Sequence, residues 1–451
     1  MERDCTRYAI SLDHAIAGFV RTMSAAFASQ RAAIGLAPGI LDSGESYFEL
    51  AHVLELGASE MAAPGRARSA PGARPSSQAA SELSEAEHAY RTGLRLSPMD
   101  SGGYYQLGSM LRSRDRVEEA LSLLEVAARL DPSNGAAASS LAYVLLNRGT
   151  RSQQRGLQML AQGVGSGLWA RTIPWQHPAE HLASVPAPPR HGLHTRAPYQ
   201  CVLDPLEKAA REMAAEATAL LAHFRVQAEG LSHPRGGWRE LNVWRLCGLG
   251  PNSGPNDGPN QAAGPIPELR TTCARLREVR TLYPYIQGAM FSAIVPNTTL
   301  VAHCGPTNGR LIAHVGLSVP QPGAARLHLG RPLSLTPASL TEVRALGLAD
   351  EEATEITWQE GRGFVWEDSI SHEVVWRSTA VAGEHKATPV VSDEAFITSN
   401  PRIILLLLLL SPAMTGQQIC TRAGPTPRLP ASAEAQRAGN VDCREAALLP
   451  R

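Results

Sequence analysis

A spacing of 34 residues recurs before residue 165. Pro98 in LRLSPMD and Pro132 in ARLDPSN stand 34 apart, as do Ala86 and Ala120, and Leu96 and Leu130. YYQLGSML (Tyr104 to Leu111) aligns with SSLAYVLL, which sets Leu107 over Leu141, Gly108 over Ala142 and Leu111 over Leu145. A period of that length predicts paired helices that bury their apolar stripes only by stacking on the next pair. Small residues such as Gly108, Ala120 and Ala142 let neighbouring helices approach, and the leucines fill the gaps between them.

This pattern resembles the tetratricopeptide repeat. An earlier half-repeat, SYFELAHVLELG, matches YYQLGSML position for position. Between it and its second helix lies ASEMAAPGRARSAPGARPSSQAA, about residues 58–80, whose Ala, Pro, Ser and Arg leave too little apolar surface to fold. The expectation is a helical segment over 1–43, then repeats over 44–163 with a disordered insert at 58–80. Such repeats serve either as a groove for a peptide or as a spacer packed on the next domain.

At 451 residues the chain exceeds one ordinary core, so several domains are expected. Lys plus Arg and Asp plus Glu number 42 each, and that balance provides no net field for nucleic acid or an anionic membrane. Seven cysteines without CxxC spacing read as free thiols in a reducing compartment rather than as a disulfide framework or a zinc knuckle. MERDCTRYAI carries acids among its bases, and no secretory signal follows it. The longest apolar run, IILLLLLL (Ile403 to Leu410), has the length of one buried strand, whereas a membrane span takes roughly 20 residues. Cytoplasmic residence is the expectation from these features.

A Pro-rich connector is expected over 164–200. LDPLEKAAREMAAEATALLAHF then spaces its apolar residues as one helix. From there to about 411, short alternating segments punctuated by Gly and Pro predict a β domain. GLGPNSGPNDGPNQAAG reads as a flexible insertion, and 412–451 as a disordered tail. The fold class expected is therefore α+β and multidomain, with helical repeats ahead of a β domain.

Chemistry gathers in HCGPTNGRLIAH, His303 to His314. In RLIAHVGLSV, period two puts Leu311, Ala313, Val315, Leu317 and Val319 on an apolar packing face. Arg310, Ile312, His314, Gly316 and Ser318 look the other way, toward solvent or a pocket. His303 precedes the turn CGPTNG, and GFVWEDSISHEVVW supplies a further strand with Asp368 and His372. With 14 histidines in the chain, no single one of them identifies a site.

Together these segments resemble the aspartyl/asparaginyl β-hydroxylase family. The likeness runs through GGWRELNVW, GAMFSAIVPNTTL, HCGPTNGRLIAHVGL, WEDSISHEVVW and NPRIILLLL, over about residues 200–411. It implies a double-stranded β-helix (a jelly roll) at 201–411 that holds Fe(II) and uses 2-oxoglutarate and O2. By position, His303 and His372 would be the iron ligands. Ser292 and Arg402 would hold the distal carboxylate of 2-oxoglutarate, and His314 would line the same cosubstrate site. Asp368 would be a catalytic acid beside the iron. The implied reaction hydroxylates the β-carbon of Asp or Asn in a peptide or protein, with the repeats as a docking surface for it. The resemblance also opens the secretory pathway as a compartment.

Most non-haem iron oxygenases add a carboxylate in a His-x-Asp/Glu pair. Here that position is Gly305, which cannot ligate, so Asp368 would instead orient a water. Ile312 stands where the family carries the second arginine of Arg-Leu-Arg. Thirty residues separate His372 from Arg402, and RSTAVAGEHKATPVVSDEAFITSN is expected to loop out. Trp358 and Trp366 read as core. The alternative to an enzyme is an interaction protein whose working part is the helices, with the barrel retained as a degenerate shell.

Overall fold

The computed structural model describes residues 43–61, 77–114, 116–189, 192–226, 231–234, 236–249, 267–376 and 390–412. The expected N-terminal segment, the GPN-rich insertion and the tail therefore lie outside the described residues, apart from their edges. The chain divides into two compact units between Ala137 and Ala138.

The first unit contains α1 (Gly44–Met61), α2 (Ser77–Leu96), α3 (Ser101–Ser113) and α4 (Val117–Leu130). Helix α1 packs on α2, and α3 on α4. Phe48 explains two glycines, since a Cβ at Gly93 or Gly103 would lie 2.5 or 2.4 Å from its ring. Gly108 lets α3 and α4 approach closely: a Cβ there would already be 3.1 Å from Leu124. Asp100 caps α3 by accepting from the Gly103 N–H at 2.7 Å. The expected disordered insert is shorter than 58–80, because α1 runs on to Met61 and α2 begins at Ser77. Alanine-rich flanks propagate a helix that packing has already nucleated. Residues 62–76 lie outside the described residues.

The second unit opens with the hairpin of α5 (Gly135–Leu146) and α6 (Thr150–Gly165). A Cβ at Gly156 would sit 2.9 Å from the Ala142 carbonyl, so this crossing too depends on a missing side chain. The Pro-rich stretch after it is no loose connector. Trp169, Trp175, Gln176 and His177 are all buried, and both tryptophans share a cluster with Ala142, Leu157 and Ala302.

Next come α7 (Gln200–Lys208) and α8 (Ala210–Ala219), two helices where the periodicity suggests one. The break falls at Ala209, where φ −105° and ψ 8° leave the helical region. They are followed by β1 (Arg225–Val226), β2 (Ser232–His233), β3 (Trp238–Leu241), α9 (Val243–Leu246), α10 (Arg270–Leu282), β4 (Ile286–Ile294), β5 (Thr299–His303) and β6 (Arg310–Ser318). Then come β7 (Ala325–Leu329), α11 (Pro337–Ala345), β8 (Thr354–Thr357), β9 (Gly363–Trp366), β10 (His372–Trp376), α12 (Asp393–Thr398) and β11 (Arg402–Leu410).

All the paired strands are antiparallel and form two sheets, β1-β3-β4-β11-β6-β9 and β2-β5-β10-β7-β8. Strand β11 lies between β4 and β6 with both faces covered, which is why it reads as an unbroken apolar run. Ile403, Leu405, Leu407 and Leu409 pack with Leu206, Met213 and Leu276 of α7, α8 and α10. Ile404, Leu406 and Leu408 face a second core shared with Leu327, Val374 and Trp376 of the other sheet. Strand β6 divides the same way, its odd residues toward the helices and Ile312 toward the inter-sheet core.

Two further expectations are corrected. Cys247 and Cys273 are bonded to each other across 26 residues of sequence, so the reading of all cysteines as free thiols fails. Packing of α9 on α10 brings their Cα atoms to 5.1 Å, a proximity that spacing along the chain cannot reveal. Among the described residues, Cys304 is a free thiol. The insertion before Arg402 does not simply loop out either. Its second half forms α12, whose buried Phe396 lies under the Arg239 guanidinium at 4.4 Å. Arg239 also donates to Asp393 at 2.5 Å and to the Val391 carbonyl at 3.0 Å. No helix of the described residues is long and apolar enough to cross a membrane.

Candidate active site

His303 ends β5 and His372 begins β10, and the antiparallel register makes them direct cross-strand partners. The register shifts between His372 and Val374, a bulge at the histidine pair itself. The ring centroids are 4.1 Å apart with the planes at 56°. Each Nδ1 lies against the carbonyl two residues upstream, Val301 at 2.8 Å and Ile370 at 2.9 Å. A carbonyl only accepts, so each Nδ1 carries a proton. Burial, with His303 alongside, pushes the His372 pKa well below the ordinary histidine value, so that ring is neutral. A neutral imidazole anchored through Nδ1, as at His372, is the form in which histidine binds a transition metal.

Asp368 is buried beside them. Arg310 holds its Oδ2 with two donors, Nε at 3.0 Å and Nη2 closer still, while Oδ1 has no hydrogen-bond partner. Burial raises the Asp368 pKa against the pull of Arg310 and His303. The glycine at 305 now has a physical reason. A Cβ there would lie 2.4 Å from the Asp368 carboxyl carbon, so Asp368 fills the space a ligand from position 305 would need. Among the described residues no group of three or more His, Cys, Asp or Glu is placed to hold a metal. The candidate ligands number two.

From His372 the site continues through aromatic rings to a buried cation. Trp366 meets His372 at 4.7 Å and His314 at 5.5 Å. Trp358 gives its Nε1–H to His314 Nδ1 at 3.3 Å, which leaves the proton of the neutral ring on Nε2, an atom with no partner. Burial, then Arg402, holds the His314 pKa far down. The Arg402 guanidinium stacks on Trp358 at 4.2 Å from the ring centre. It is 2% exposed, its Nε and Nη1 have no partners, and burial pulls its pKa down to about 9. Ser292, buried on β4 across from Ile404, accepts from Trp238 Nε1 at 2.9 Å and keeps its own proton to give. The interior thus offers unpaired donors at Arg402 and His314, the arrangement a carboxylate would satisfy.

Residues 207–381 match the aspartyl/asparaginyl beta-hydroxylase family. That span carries Ser292, His303, His314, Asp368 and His372, and Arg402 lies beyond its end on a strand hydrogen-bonded to two strands within it. No curated protein matches the chain. The hydroxylase-family span is thus continuous with a sheet that the match itself does not complete.

Sequence reasoning gave Arg310 no role, though its place two residues before Ile312 on the His314 face was visible. Trp358 and Trp366 are buried, as their sequence context predicts, yet each also touches a candidate site residue. Nothing along the chain signals that Trp358 lies on Arg402, because 44 residues separate two groups that meet only when the sheets close.

Proposed function

We propose that the second unit is a dioxygenase that uses Fe(II), 2-oxoglutarate and O2 to hydroxylate the β-carbon of Asp or Asn side chains in a peptide or protein. The observation that carries this reading is the paired, Nδ1-anchored imidazoles of His303 and His372 in one interior with a buried, donor-rich Arg402. The hydroxylase-family match over 207–381 supports it.

In this reading His303 and His372 hold the iron through Nε2, and the iron supplies the centre at which 2-oxoglutarate and O2 react. Arg402 binds the distal carboxylate of 2-oxoglutarate through its guanidinium, whose Nε–H and Nη1–H are unpartnered and point along different edges of a plane that lysine cannot copy. The Ser292 hydroxyl gives that carboxylate a further proton, and His314 offers Nε2–H to the same cosubstrate. Asp368, fixed at Oδ2 by Arg310, keeps Oδ1 to accept from a water beside the histidines. The two packed sheets act as a double-stranded β-helix that excludes bulk water and strengthens each of these contacts. The helices of the first unit serve as tetratricopeptide-like repeats for the peptide substrate.

The test is conversion of 2-oxoglutarate to succinate by the full chain with Fe(II), read beside His372→Ala. Succinate that forms with the wild type and is lost in the variant supports the proposal; equal rates remove His372 from the mechanism. One observation favours a second reading, an inert shell in a helical interaction protein: Trp358 already covers one face of Arg402, and Ile312 gives no donor. Absence of iron-dependent turnover in the wild type selects that reading.

A further inference from the structure

His303 and His372 stand at strand ends, where a ladder opens most easily. Beyond the ladder itself, several of the bonds that hold those ends come from outside both sheets. Trp175 to Leu182, within the Pro-rich stretch, runs across the two histidine-bearing loops. The Trp175 carbonyl accepts from the Ser371 N–H at 2.7 Å, and Gln176 forms a backbone bridge with Ile370, whose carbonyl anchors the His372 ring. The Gln176 side chain, 1% exposed, gives Nε2–H to Ser369 Oγ at 2.8 Å, and Ser369 passes its own proton to Glu367 at 2.8 Å. Farther along, the Glu180 N–H donates to the Pro306 carbonyl at 2.8 Å. The Asn308 amide exchanges bonds of 2.7 and 3.0 Å with the Leu182 backbone.

The helical hairpin reaches the same place from its own side. Asn147, just past α5, gives Nδ2–H to the Ala302 carbonyl at 2.9 Å, one residue before His303. The two loops are also tied directly, Gly305 N–H to the Asp368 carbonyl at 2.6 Å. The His372 ring takes its orientation from the Ile370 carbonyl inside one of these loops and the His303 ring from Val301 at the end of β5, so a displaced loop turns the His372 ring and a shifted strand end the other. Partners of this kind, one step removed from a ligand, typically change metal affinity by about 10–100-fold when lost.

We infer that Trp175 to Leu182, with Asn147, is a strap that fixes how His303 and His372 face one another, and that Gln176 and Asn147 are its positioning residues. The inference rests on the proposed function, because it takes the histidine pair to be a metal site. It makes α5, α6 and the Pro-rich stretch part of the site's framework.

The test is a Co(II) titration of the metal-free full-length chain, read by absorption, with urea unfolding of each variant in parallel. Gln176→Leu and Asn147→Leu are expected to weaken Co(II) binding at least tenfold. Gln153→Leu is the control for general loosening. Gln153 is equally buried in the same hairpin and bonds Leu146, Ser334, Thr336 and Ser339, none of them in the two histidine-bearing loops. It should lower the urea midpoint while leaving Co(II) affinity unchanged. Wild-type affinity in Gln176→Leu and Asn147→Leu overturns the strap alone, as does equal weakening by Gln153→Leu. Wild-type binding that is absent, or that survives His372→Ala, overturns the functional reading and the strap with it.

Discussion

Arg402 keeps a guanidinium inside the protein with two N–H groups unbonded, an arrangement that costs free energy unless a ligand completes it. Arg402→Lys retains a charge and loses the planar set of N–H donors. Its loss of one charge-assisted hydrogen bond, worth about 1.5–3 kcal/mol, should raise KM for 2-oxoglutarate at least tenfold, measured as succinate formation against cosubstrate concentration. Unchanged KM would detach Arg402 from cosubstrate binding. Gly305 tests the opposite end. Gly305→Ala inserts a methyl into the space of the Asp368 carboxyl group, 2.4 Å from its carbon. Overpacking of this kind costs about 1–3 kcal/mol, visible in urea unfolding, and should displace Asp368 and weaken Co(II) binding. A variant as stable and as metal-competent as the wild type would show that the carboxylate has room to spare.

At the scale of elements, β11 has the most to lose. Leu407 is fully buried between the sheet and the helices, and Leu407→Ala should cost about 2–5 kcal/mol in urea unfolding. A loss below 1 kcal/mol would mean that the core under α7, α8 and α10 collapses around the cavity. Elements of this sort were legible in advance because their cause is local. Period two in RLIAHVGLSV separates the helix-facing residues from the inward ones, and the leucine run states that β11 is covered on both sides. The glycines and alanines of the 34-residue period likewise mark where helices touch. What stayed hidden depends on contacts between distant segments. Asp368 filling the space beside Gly305, Trp358 over Arg402, and Cys247 beside Cys273 require the sheets and helices to be assembled first. The Pro-rich stretch misled for the same reason: proline and glycine reveal the absence of regular structure, while Trp169, Trp175 and Gln176 bury themselves without any. Asp393 and Phe396 turn part of a polar insertion into a docked helix through Arg239, a residue more than 150 positions away.

For the molecule as a whole, the sharpest consequence of burying so many histidines is acid sensitivity. His177 is enclosed by Trp169, Trp175 and the Tyr143 hydroxyl, and burial pushes its pKa from 6.5 down to about 3. His314 and His372 are displaced in the same direction, burial first among the causes. Below pH 6.5 the unfolded chain binds protons that these folded rings refuse, so stability falls as pH falls. For His177 alone the loss between pH 7 and pH 5 is about 2 kcal/mol, at 1.36 kcal/mol per unit below 6.5. The raised pKa values of Glu367 and Asp368, both caused chiefly by burial, act oppositely. They favour the fold at low pH and lose that contribution as pH rises through the folded values. The two effects separate by mutation: His177→Gln cannot be protonated in either state, so its unfolding free energy should fall by about 2 kcal/mol less than the wild type's over pH 7 to 5, in urea melts of the metal-free chain. Parallel pH curves for the two proteins would mean that His177 takes up its proton while folded, and that the ring cluster around it opens to water.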